Sequence, residues 1–514
     1  MKPMVYLVGA GPGDFELMTL KGKRCIQQAD VLIYDRLASD AFLRLVKPGC
    51  QCIYAGKQAG NHAIPQEELN ELIAQKALEG GCVVRLKGGD PYVFGRGGEE
   101  ALYLRSRGIP FEVVPGITSA IAGLCYGGIP ITERDCASSF HVITGHAKEG
   151  AESAIRWPVL AQEEGTLVFL MGLGQLEEIA GRLMAAGKDP ATPAAVISNG
   201  TRYNQQVRTA PLREIARAVE QDPVPSPAII VVGEVVSLRE PLNFFERRPL
   251  FGRTVVVTRA RAQGEELLTA LEEQGARAVA MPTISIQPVA HEELDRAIGA
   301  LGDKTYLIFT SQNTVSLFFD RLWALGLDSR ALAGLKLCAV GAATAQCLGQ
   351  YGLRADLVPP AFSSEGMWQT LKPLLTPRDR VLMPRAKEVV SKLAQRIREV
   401  CPVEEVVVYE TLPDLEGGRP ALELIQRGEA DYITFTSPST VKNTLKLLGD
   451  VPEKLRDSRL VSIGPVTSAC MRELGLANII EAKCSTAQGL LEAILEDAAQ
   501  RIDRDENQGR DDVR

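Results

Sequence analysis

Residues 82–107 read CVVRLKGGDPYVFGRGGEEALYLRSR: an apolar, β-branched run, then a glycine-rich turn, then a helical pattern. The same order returns in VYLVGAGPG at 5–13, followed by LKGKRCIQQA, and in TLVFLMGLG at 166–174, followed by LEEIAGRLMAAG. Strands that alternate with helices of about a dozen residues are typical of α/β layers. Ligands in such folds bind where strands end, so the glycine turns are the first candidate sites.

The composition is that of an ordinary folded protein. The 514 residues are 45% apolar and 24% charged, with a net charge of −7. No basic block of the kind that binds a phosphate backbone is present, so we expect no nucleic-acid partner. No window reaches ~18 uninterrupted apolar residues, and the N-terminus lacks a signal-peptide pattern. We therefore expect a soluble, cytoplasmic protein that does not associate with membranes.

The eleven cysteines do not have the spacing of a disulfide framework or a zinc site. Most lie inside apolar runs, and the closest pair, Cys50 and Cys52, has no C-x-x-C partner elsewhere. We therefore expect no metal.

A proline-flanked charged stretch, REPLNFFERRPLFGR at 239–253, separates two halves of the chain. We place an N-terminal domain at 1–245, a linker at 246–252 and a C-terminal domain at 253–497. The last residues, 498–514, are almost wholly polar, and we expect them to form a frayed tail.

The C-terminal half contains a diverged internal repeat. YLIFTSQNTV from Tyr306 resembles YITFTSPSTV from Tyr432, and AVGAATA resembles SIGPVTS downstream at nearly the same offset. This predicts two similar α/β lobes. The serines of the two turns, Ser311 and Ser437, present hydroxyls that suit anionic groups, or they are plain N-caps of the helices that follow.

The glycine turn after the first strand does not fit a dinucleotide fingerprint. That fingerprint needs G-x-G-x-x-G, whereas here Pro12 fills the turn and Gly13 comes one position early. We therefore reject NAD and FAD binding. A turn without Cβ atoms still lets a ligand approach the backbone, although a merely structural tight turn is also consistent with it.

Motifs across the first half resemble the uroporphyrinogen-III C-methyltransferases. They are GAGPGD, YDRL, AGK, KGGDPYVFGRGGEE, VPGITSA, GIPITERD, TGH and NGT. The resemblance covers roughly residues 4 to 245. It implies a two-lobed tetrapyrrole methylase fold, usually a homodimer. It also implies transfer of methyl groups from S-adenosylmethionine to C2 and C7 of uroporphyrinogen III, giving precorrin-2 for siroheme or cobalamin.

The resemblance also implies site residues. The family's contacts to S-adenosylmethionine carry over to Pro12, Gly88, Gly89, Asp90, Val93, Thr118, Ser119, Met171 and Gly200. The acceptor carries carboxylates, which call for guanidinium partners. The candidate substrate-binding residues are Arg36, Arg96 and Arg134, with His146 beside them.

Two acid–base pairs are candidates. The resemblance implies Asp35 as proton acceptor and Lys57 as donor, while Arg96 and Glu99 occupy the positions of another proposed pair. The sequence does not decide between them. Asp35 and Lys57 are equally consistent with a structural ion pair, and Glu99 with a favourable charge at a helix start.

The second half resembles uroporphyrinogen-III synthase through VVVTRAR, IFTSQNTV, VVVYET, FTSPSTV and SIGPVTS. The resemblance implies two flavodoxin-like parallel α/β lobes, lobe A at about 253–283 and 413–497 and lobe B at about 288–408. We place the linkers between them near 282–288 and 409–413.

The implied reaction closes hydroxymethylbilane into uroporphyrinogen III with inversion of the last ring and loss of water. The resemblance makes Tyr409 the candidate that protonates the leaving hydroxyl, unless it only packs the hinge. It makes Ser311, Ser437 and Thr467 candidates for binding carboxylates.

Both resemblances together predict one bifunctional enzyme, because the product of the second half is the acceptor of the first. Two alternatives stay open. The first half could methylate a different precorrin or a non-tetrapyrrole acceptor. The second half could be a non-catalytic module that binds or senses the tetrapyrrole.

Overall fold

A computed structural model describes residues 4–35, 40–56, 64–145, 155–259, 261–387, 391–414, 416–449 and 452–511. The chain divides into two compact units. The first contains the residues up to 254, 270–277 and the segment from 495 onward, and the second contains 255–269 and 278–494.

The first unit begins with a parallel sheet. Its strands are β1 Met4–Gly9, β2 Val31–Tyr34, β3 Gln51–Tyr54, β4 Cys82–Lys87 and β5 Phe111–Val114, in the order β3-β2-β4-β1-β5. The helices that accompany them are α1 Leu20–Gln28, α2 Gln66–Leu78, α3 Gly97–Ser106 and α4 Ser119–Tyr126.

Both faces of this sheet are covered by helices. Val83 belongs to the hydrophobic cluster that contains Ile73 of α2, whereas Val84, the next residue, belongs to the cluster that contains Ile26 of α1. Successive strand side chains point to opposite faces, so a strand buried on both sides reads as a continuous apolar run. This is why CVVRL and VYLV have no polar alternation.

A second sheet completes the N-terminal half of the chain. It contains β6 Phe140–Thr144, β7 Thr166–Leu170, β8 Pro193–Ser198, β9 Gln206–Pro211 and β10 Ala228–Val232, in the order β6-β7-β10-β8-β9. Only the β6–β7 pair of this sheet is parallel. Its helices are α5 Trp157–Gln162, α6 Leu176–Ala185, α7 Ile215–Gln221 and α8 Arg239–Leu242.

The remaining strands form two more sheets. They are β11 Thr254–Val257, β12 Arg277–Ala280, β13 Ile284–Pro288, β14 Tyr306–Phe309, β15 Lys336–Ala339, β16 Val381–Ala386, β17 Val403–Pro413, β18 Tyr432–Phe435, β19 Arg459–Ser462 and β20 Ile479–Glu481. The sheet orders are β12-β11-β18-β19-β20 and β13-β17-β16-β14-β15. The helices are α9 Arg261–Glu273, α10 Glu292–Gly299, α11 Gln312–Ala324, α12 Ala342–Gln350, α13 Ser364–Leu371, α14 Lys392–Arg398, α15 Arg419–Gln426, α16 Pro438–Leu447, α17 Pro465–Glu473 and α18 Ala487–Asp511.

The predicted α/β architecture is confirmed, with one correction to the second half. The segments predicted as extended linkers are hydrogen-bonded strands: Ile284 lies opposite Pro413, and Pro288 lies opposite Tyr409, in an antiparallel pair. The sheet at 284–413 is therefore mixed rather than parallel. The β-branched residues in VVVYET favour a strand. The prolines near them indicated a linker instead.

Two boundary expectations also differ from the structure. Leu250, inside the predicted linker 246–252, is fully buried, and its N–H donates to the carbonyl of Gln274 at 3.0 Å. Ala498, the first residue of the predicted frayed tail, is buried in α18, which continues to Asp511. Glu, Gln and Arg are good helix formers, so polar composition alone did not indicate fraying.

Candidate active site

A cavity of about 440 Å³ lies in the first unit, where the carboxyl ends of β1 and β4 face the ends of β7 and β8. All nine residues predicted to contact the methyl donor line it. They are Pro12, Gly88, Gly89, Asp90, Val93, Thr118, Ser119, Met171 and Gly200. Residues from distant parts of the sequence thus converge on one site.

Glycines let the loops of the first sheet pack backbone against backbone. The N–H of Gly89 donates to the carbonyl of Gly11 at 2.7 Å, and the N–H of Gly11 donates back to Gly89 at 3.2 Å. A Cβ on Gly9 would lie 2.6 Å from Gly116 Cα and from the Gly89 carbonyl oxygen. Only glycine fits this approach, which leaves bare backbone at the cavity wall.

Asp90 holds two of these loops. Its Oδ1 accepts from the N–H of Tyr92 at 2.8 Å, and its Oδ2 accepts from the N–H of Gly116 at 3.0 Å. A carboxylate has about four lone-pair sites, so it still has acceptor capacity for ligand hydroxyls.

Thr118 has the structural role that the residue type suggests. Its side chain is the N-cap of α4 and accepts from the N–H of Ala120 at 3.3 Å. The same residue lines the cavity, so capping and a position at the site are compatible here.

The opposite wall carries unusual backbone. Met171, Asn199 and Thr201 have φ angles of 57°, 49° and 72°, and Phe94 on the facing loop has 53°. Such conformations cost roughly 1–3 kcal/mol each and tend to cluster at ligand sites. Met171 is 53% exposed, which gives the cavity an apolar surface at its opening.

Asp35 has a partner that the sequence did not indicate. Its Oδ2 lies 2.9 Å from Arg85 Nη2, and the Asp35 side chain is 24% exposed. Lys57, its expected partner, lies outside the described residues. Arg85 is buried within β4, so the carboxylate is held from inside the fold.

Arg96 and Glu99 pair with each other at the start of α3. Two bonds of 2.8 Å join the guanidinium to the carboxylate, and both side chains are more than half exposed. Arg96 is the N-cap residue, with φ 58°. Glu99 therefore has the helix-start role of the alternative interpretation, and it also stands open to solvent.

Only some of the residues predicted to bind the methyl acceptor lie in the part of the chain that the structure describes. Arg36 and His146 lie outside the described residues. Arg134 is exposed, in a tight turn closed by Glu133 and Ala137.

Two of the three predicted carboxylate ligands of the second half are helix caps, and the third is buried. Ser311 caps α11 and Ser437 caps α16, each through a capping box with the threonine three positions on. Thr467 lies in the first turn of α17 and is 3% exposed. Ser311 and Ser437 are therefore N-caps, and any ligand contact through their side chains would have to share these hydroxyls.

Tyr409 is 8% exposed and belongs to a core cluster with Val406, Val408 and Phe309. A register shift opposite Arg385 and Ala386 lets the neighbouring residues 408 and 409 both be buried. This burial is what the alternative interpretation expects, in which Tyr409 only packs the hinge.

Among the described residues, no group of three or more His, Cys, Asp or Glu side chains could hold a metal ion. Within the same ranges, none of the helices has the length and apolar character needed to cross a bilayer.

Comparisons with known proteins agree with this division of the chain. A family model described as tetrapyrrole (corrin/porphyrin) methylases matches residues 4–216, and one described as uroporphyrinogen-III synthase HemD matches residues 265–492. Porphyrin biosynthesis protein HemD of Ruminiclostridium josui is 39% identical over 494 residues, which cover 96% of this chain and 97% of that protein. The chain belongs to the tetrapyrrole methylase and uroporphyrinogen-III synthase families. The resemblance read from the motifs is confirmed.

Further relatives are named as methyltransferases. A uroporphyrinogen-III C-methyltransferase of Bacillus subtilis (strain 168) is 41% identical over 360 residues, 70% of this chain and 73% of that protein. A crystal structure of Thermus thermophilus uroporphyrin-III C-methyl transferase complexed with S-adenyl homocysteine is 41% identical. It covers 46% of this chain and 99% of that one, with a TM-score of 0.40.

Sequence reasoning missed several residues that line the methylase cavity, among them Phe94, Asn199, Arg202, Pro227 and Ile229. The Asn-Gly dipeptide at 199–200 is a turn signal that could have been used. Ile229 gave no signal, because its burial in a strand is what any core residue shows.

Proposed function

We propose that this protein carries two consecutive activities of tetrapyrrole biosynthesis. The synthase half cyclises hydroxymethylbilane to uroporphyrinogen III. The methylase half methylates that product at C2 and C7 with S-adenosylmethionine, giving precorrin-2. The observation that carries the proposal is the convergence of all nine predicted donor contacts on one cavity.

The cavity suits the donor chemically. S-adenosylmethionine combines a sulfonium, an amino-acid tail and an adenosine, and it supplies the methyl group that passes to a ring carbon. Bare glycine backbone at Gly88 and Gly89, the apolar Met171 and the acceptor oxygens of Asp90 offer the three kinds of contact that such a ligand needs. The chain's main contribution is to hold the two reactants in line.

Methyl transfer leaves a positive charge on the macrocycle, which must then lose a proton from an atom other than the methylated carbon, because that carbon already carries a side chain and has none. Asp35 is the acceptor in this proposal, because the Arg85 guanidinium, 2.9 Å away, fixes the direction of its carboxylate. The Arg96–Glu99 pair is the competing choice, and its carboxylate is already engaged by two bonds.

A second candidate function concerns the synthase half alone. Ser311 and Ser437 cap helices, and Thr467 and Tyr409 are buried. This favours, as the alternative, a half that binds the tetrapyrrole without catalysing its closure.

The finer assignments belong to the same proposal. We place the product on the route to siroheme, with cobalamin as a further destination, and the protein in the cytoplasm as a homodimer formed through the methylase half. We keep the domain limits at 1–245 and 253–497.

The test is an anaerobic incubation of the full chain with freshly generated hydroxymethylbilane, with and without S-adenosylmethionine, followed by isomer analysis and mass spectrometry. Isomer III without the donor and a doubly methylated product with it are the expected results. Isomer I alone would refute catalysis by the synthase half and favour the binding module. Isomer III supplied directly and left unmethylated would refute the methylase assignment.

A further inference from the structure

The two walls of the donor cavity come from different sheets. Pro12 belongs to the loop after β1, and Gly200 belongs to the turn after β8. Two positions beyond Pro12, the N–H of Asp14 donates to Oγ1 of Thr201 at 3.1 Å. One hydrogen bond therefore joins two residues that lie within two positions of the wall residues Pro12 and Gly200.

The Asp14 carboxylate adds a third segment. Its Oδ1 accepts from the N–H of Glu16 at 2.9 Å, and its Oδ2 accepts from the Tyr126 hydroxyl at 3.0 Å. Tyr126 is the last residue of α4, the helix whose first residue, Ser119, lines the cavity. Its ring packs on Phe245, with centroids 4.7 Å apart.

Thr201 is held in a strained conformation by the same network. A φ of 72° is a genuine outlier for a β-branched residue. Its N–H donates to Oε1 of Gln205 at 2.9 Å, and Nε2 of Gln205 donates to the Tyr126 carbonyl at 3.0 Å. The turn that carries Gly200 is thus fastened to α4 from both ends of Tyr126, by its carbonyl and, through Asp14, by its hydroxyl.

We propose that Tyr126, Asp14 and Thr201 form a clasp that fixes the spacing of the two cavity walls, so that Tyr126 is a positioning residue for the methyl donor. The inference rests on the proposed function, in that it takes the cavity to be the donor site. Burial, with the Asp14 carboxylate beside it, raises the pKa of Tyr126, so its hydroxyl stays protonated as a donor at neutral pH.

The test removes single hydroxyls without changing shape. Tyr126→Phe keeps the ring that packs on Phe245, and Thr201→Val keeps the β-branch. Each should weaken S-adenosylhomocysteine binding, measured by calorimetry, about tenfold, which is the usual scale for one lost hydrogen bond. The KM for S-adenosylmethionine should rise equally while kcat stays within about twofold, because ground and transition states lose the same contact.

Two variants serve as controls. Thr201→Ser retains the hydroxyl and should bind as the unmodified protein does. Tyr203→Phe makes the same chemical change at a ring that stacks under Arg277, outside the clasp, and should leave affinity unchanged.

The outcomes separate this inference from the proposed function. If the unmodified protein binds S-adenosylhomocysteine but Tyr126→Phe and Thr201→Val bind it within twofold as well, the clasp is overturned and the donor site stands. If the unmodified protein does not bind it, both fall. A lower melting temperature with unchanged KM would assign the network to stability alone and also overturn the inference.

Discussion

Lys87 Nζ lies 2.7 Å from Glu100 Oε1, and both side chains are almost completely buried. Lys87 is the last residue of β4 and directly precedes Gly88 and Gly89 of the cavity wall. Oε1 of Glu100 also lies 3.4 Å from Nε of Arg85, whose Nη2 reaches Asp35. Oε2 of Glu100 is buried and has no hydrogen-bond partner within the described chain. Burial, with Arg85 beside it, lowers the pKa of Lys87. Glu100 therefore lies against two buried cations, and one of them, Arg85, also pairs with Asp35.

Replacing Glu100 by Gln should destabilise the protein strongly. The change leaves Lys87 buried without its carboxylate partner, and breaking a buried pair in this way costs about 3–5 kcal/mol. Urea unfolding measures the loss. Glu99→Gln removes the neighbouring carboxylate from an exposed pair and should cost no more than about 1 kcal/mol. Equal losses in the two variants would contradict the assignment.

Asp35→Asn should separate chemistry from donor binding. The variant keeps a polar group beside Arg85 but cannot accept the proton, and a general base typically contributes about 10²–10⁴-fold. We expect kcat to fall on that scale while the S-adenosylhomocysteine Kd stays within about twofold. Glu99→Gln is the paired variant: if it loses turnover and Asp35→Asn does not, the exposed pair is the one that acts.

Gly9→Ala should open the loops of the first sheet. The new Cβ would meet backbone of Gly116 and Gly89 at 2.6 Å, and backbone cannot move aside as a flexible side chain does. We expect a loss of about 1–3 kcal/mol and at least tenfold weaker S-adenosylhomocysteine binding. Gly181→Ala in α6 meets nothing within 4 Å and should be neutral or stabilising. Unchanged binding in Gly9→Ala would show that the loops tolerate separation.

Tyr126 should make the protein sensitive to alkali. A group whose pKa is raised on folding contributes stability that is complete below its unfolded value, about 10 for tyrosine, and is lost as the pH rises through the folded value. The free energy of unfolding should therefore fall more steeply above pH ~10 in the unmodified protein than in Tyr126→Phe. Denaturant titrations at a series of pH values check this, and parallel curves would count against it.

The parts of the site that the sequence predicted are those that depend on residue type at a strand end. Pro12 lies in the loop after β1 and Gly88 and Gly89 lie in the loop after β4, and glycine and proline at these strand ends predicted both turns and their place at the cavity. Arg85 and Glu100 could not, because their pairing depends on which face of β4 meets α3. A charged residue in a glycine-rich run looks solvated until the packing is known.

The same limit explains the second half. The repeat predicted both lobes because each turn recurs with its strand and helix. The exposure of Tyr409 depends on a single register shift in β17, which no periodicity reveals. Backbone strain is equally invisible in the sequence, because nothing around Thr201 indicates that its φ is 72°.

Tyr409→Phe gives the sharpest test of the synthase half. The ring keeps its place in the core, since the change removes only a hydroxyl, and any effect on chemistry is that of the proton it carries. If Tyr409 protonates the leaving hydroxyl, isomer III should form at least tenfold more slowly, and the spontaneously formed isomer I should accumulate instead. Tyr351→Phe, at a ring stacked 4.2 Å from Phe319, is a matched change outside the hinge and should leave the isomer ratio unaltered. An unaltered ratio in Tyr409→Phe as well would assign the residue to packing, and the proton would then have to come from another group.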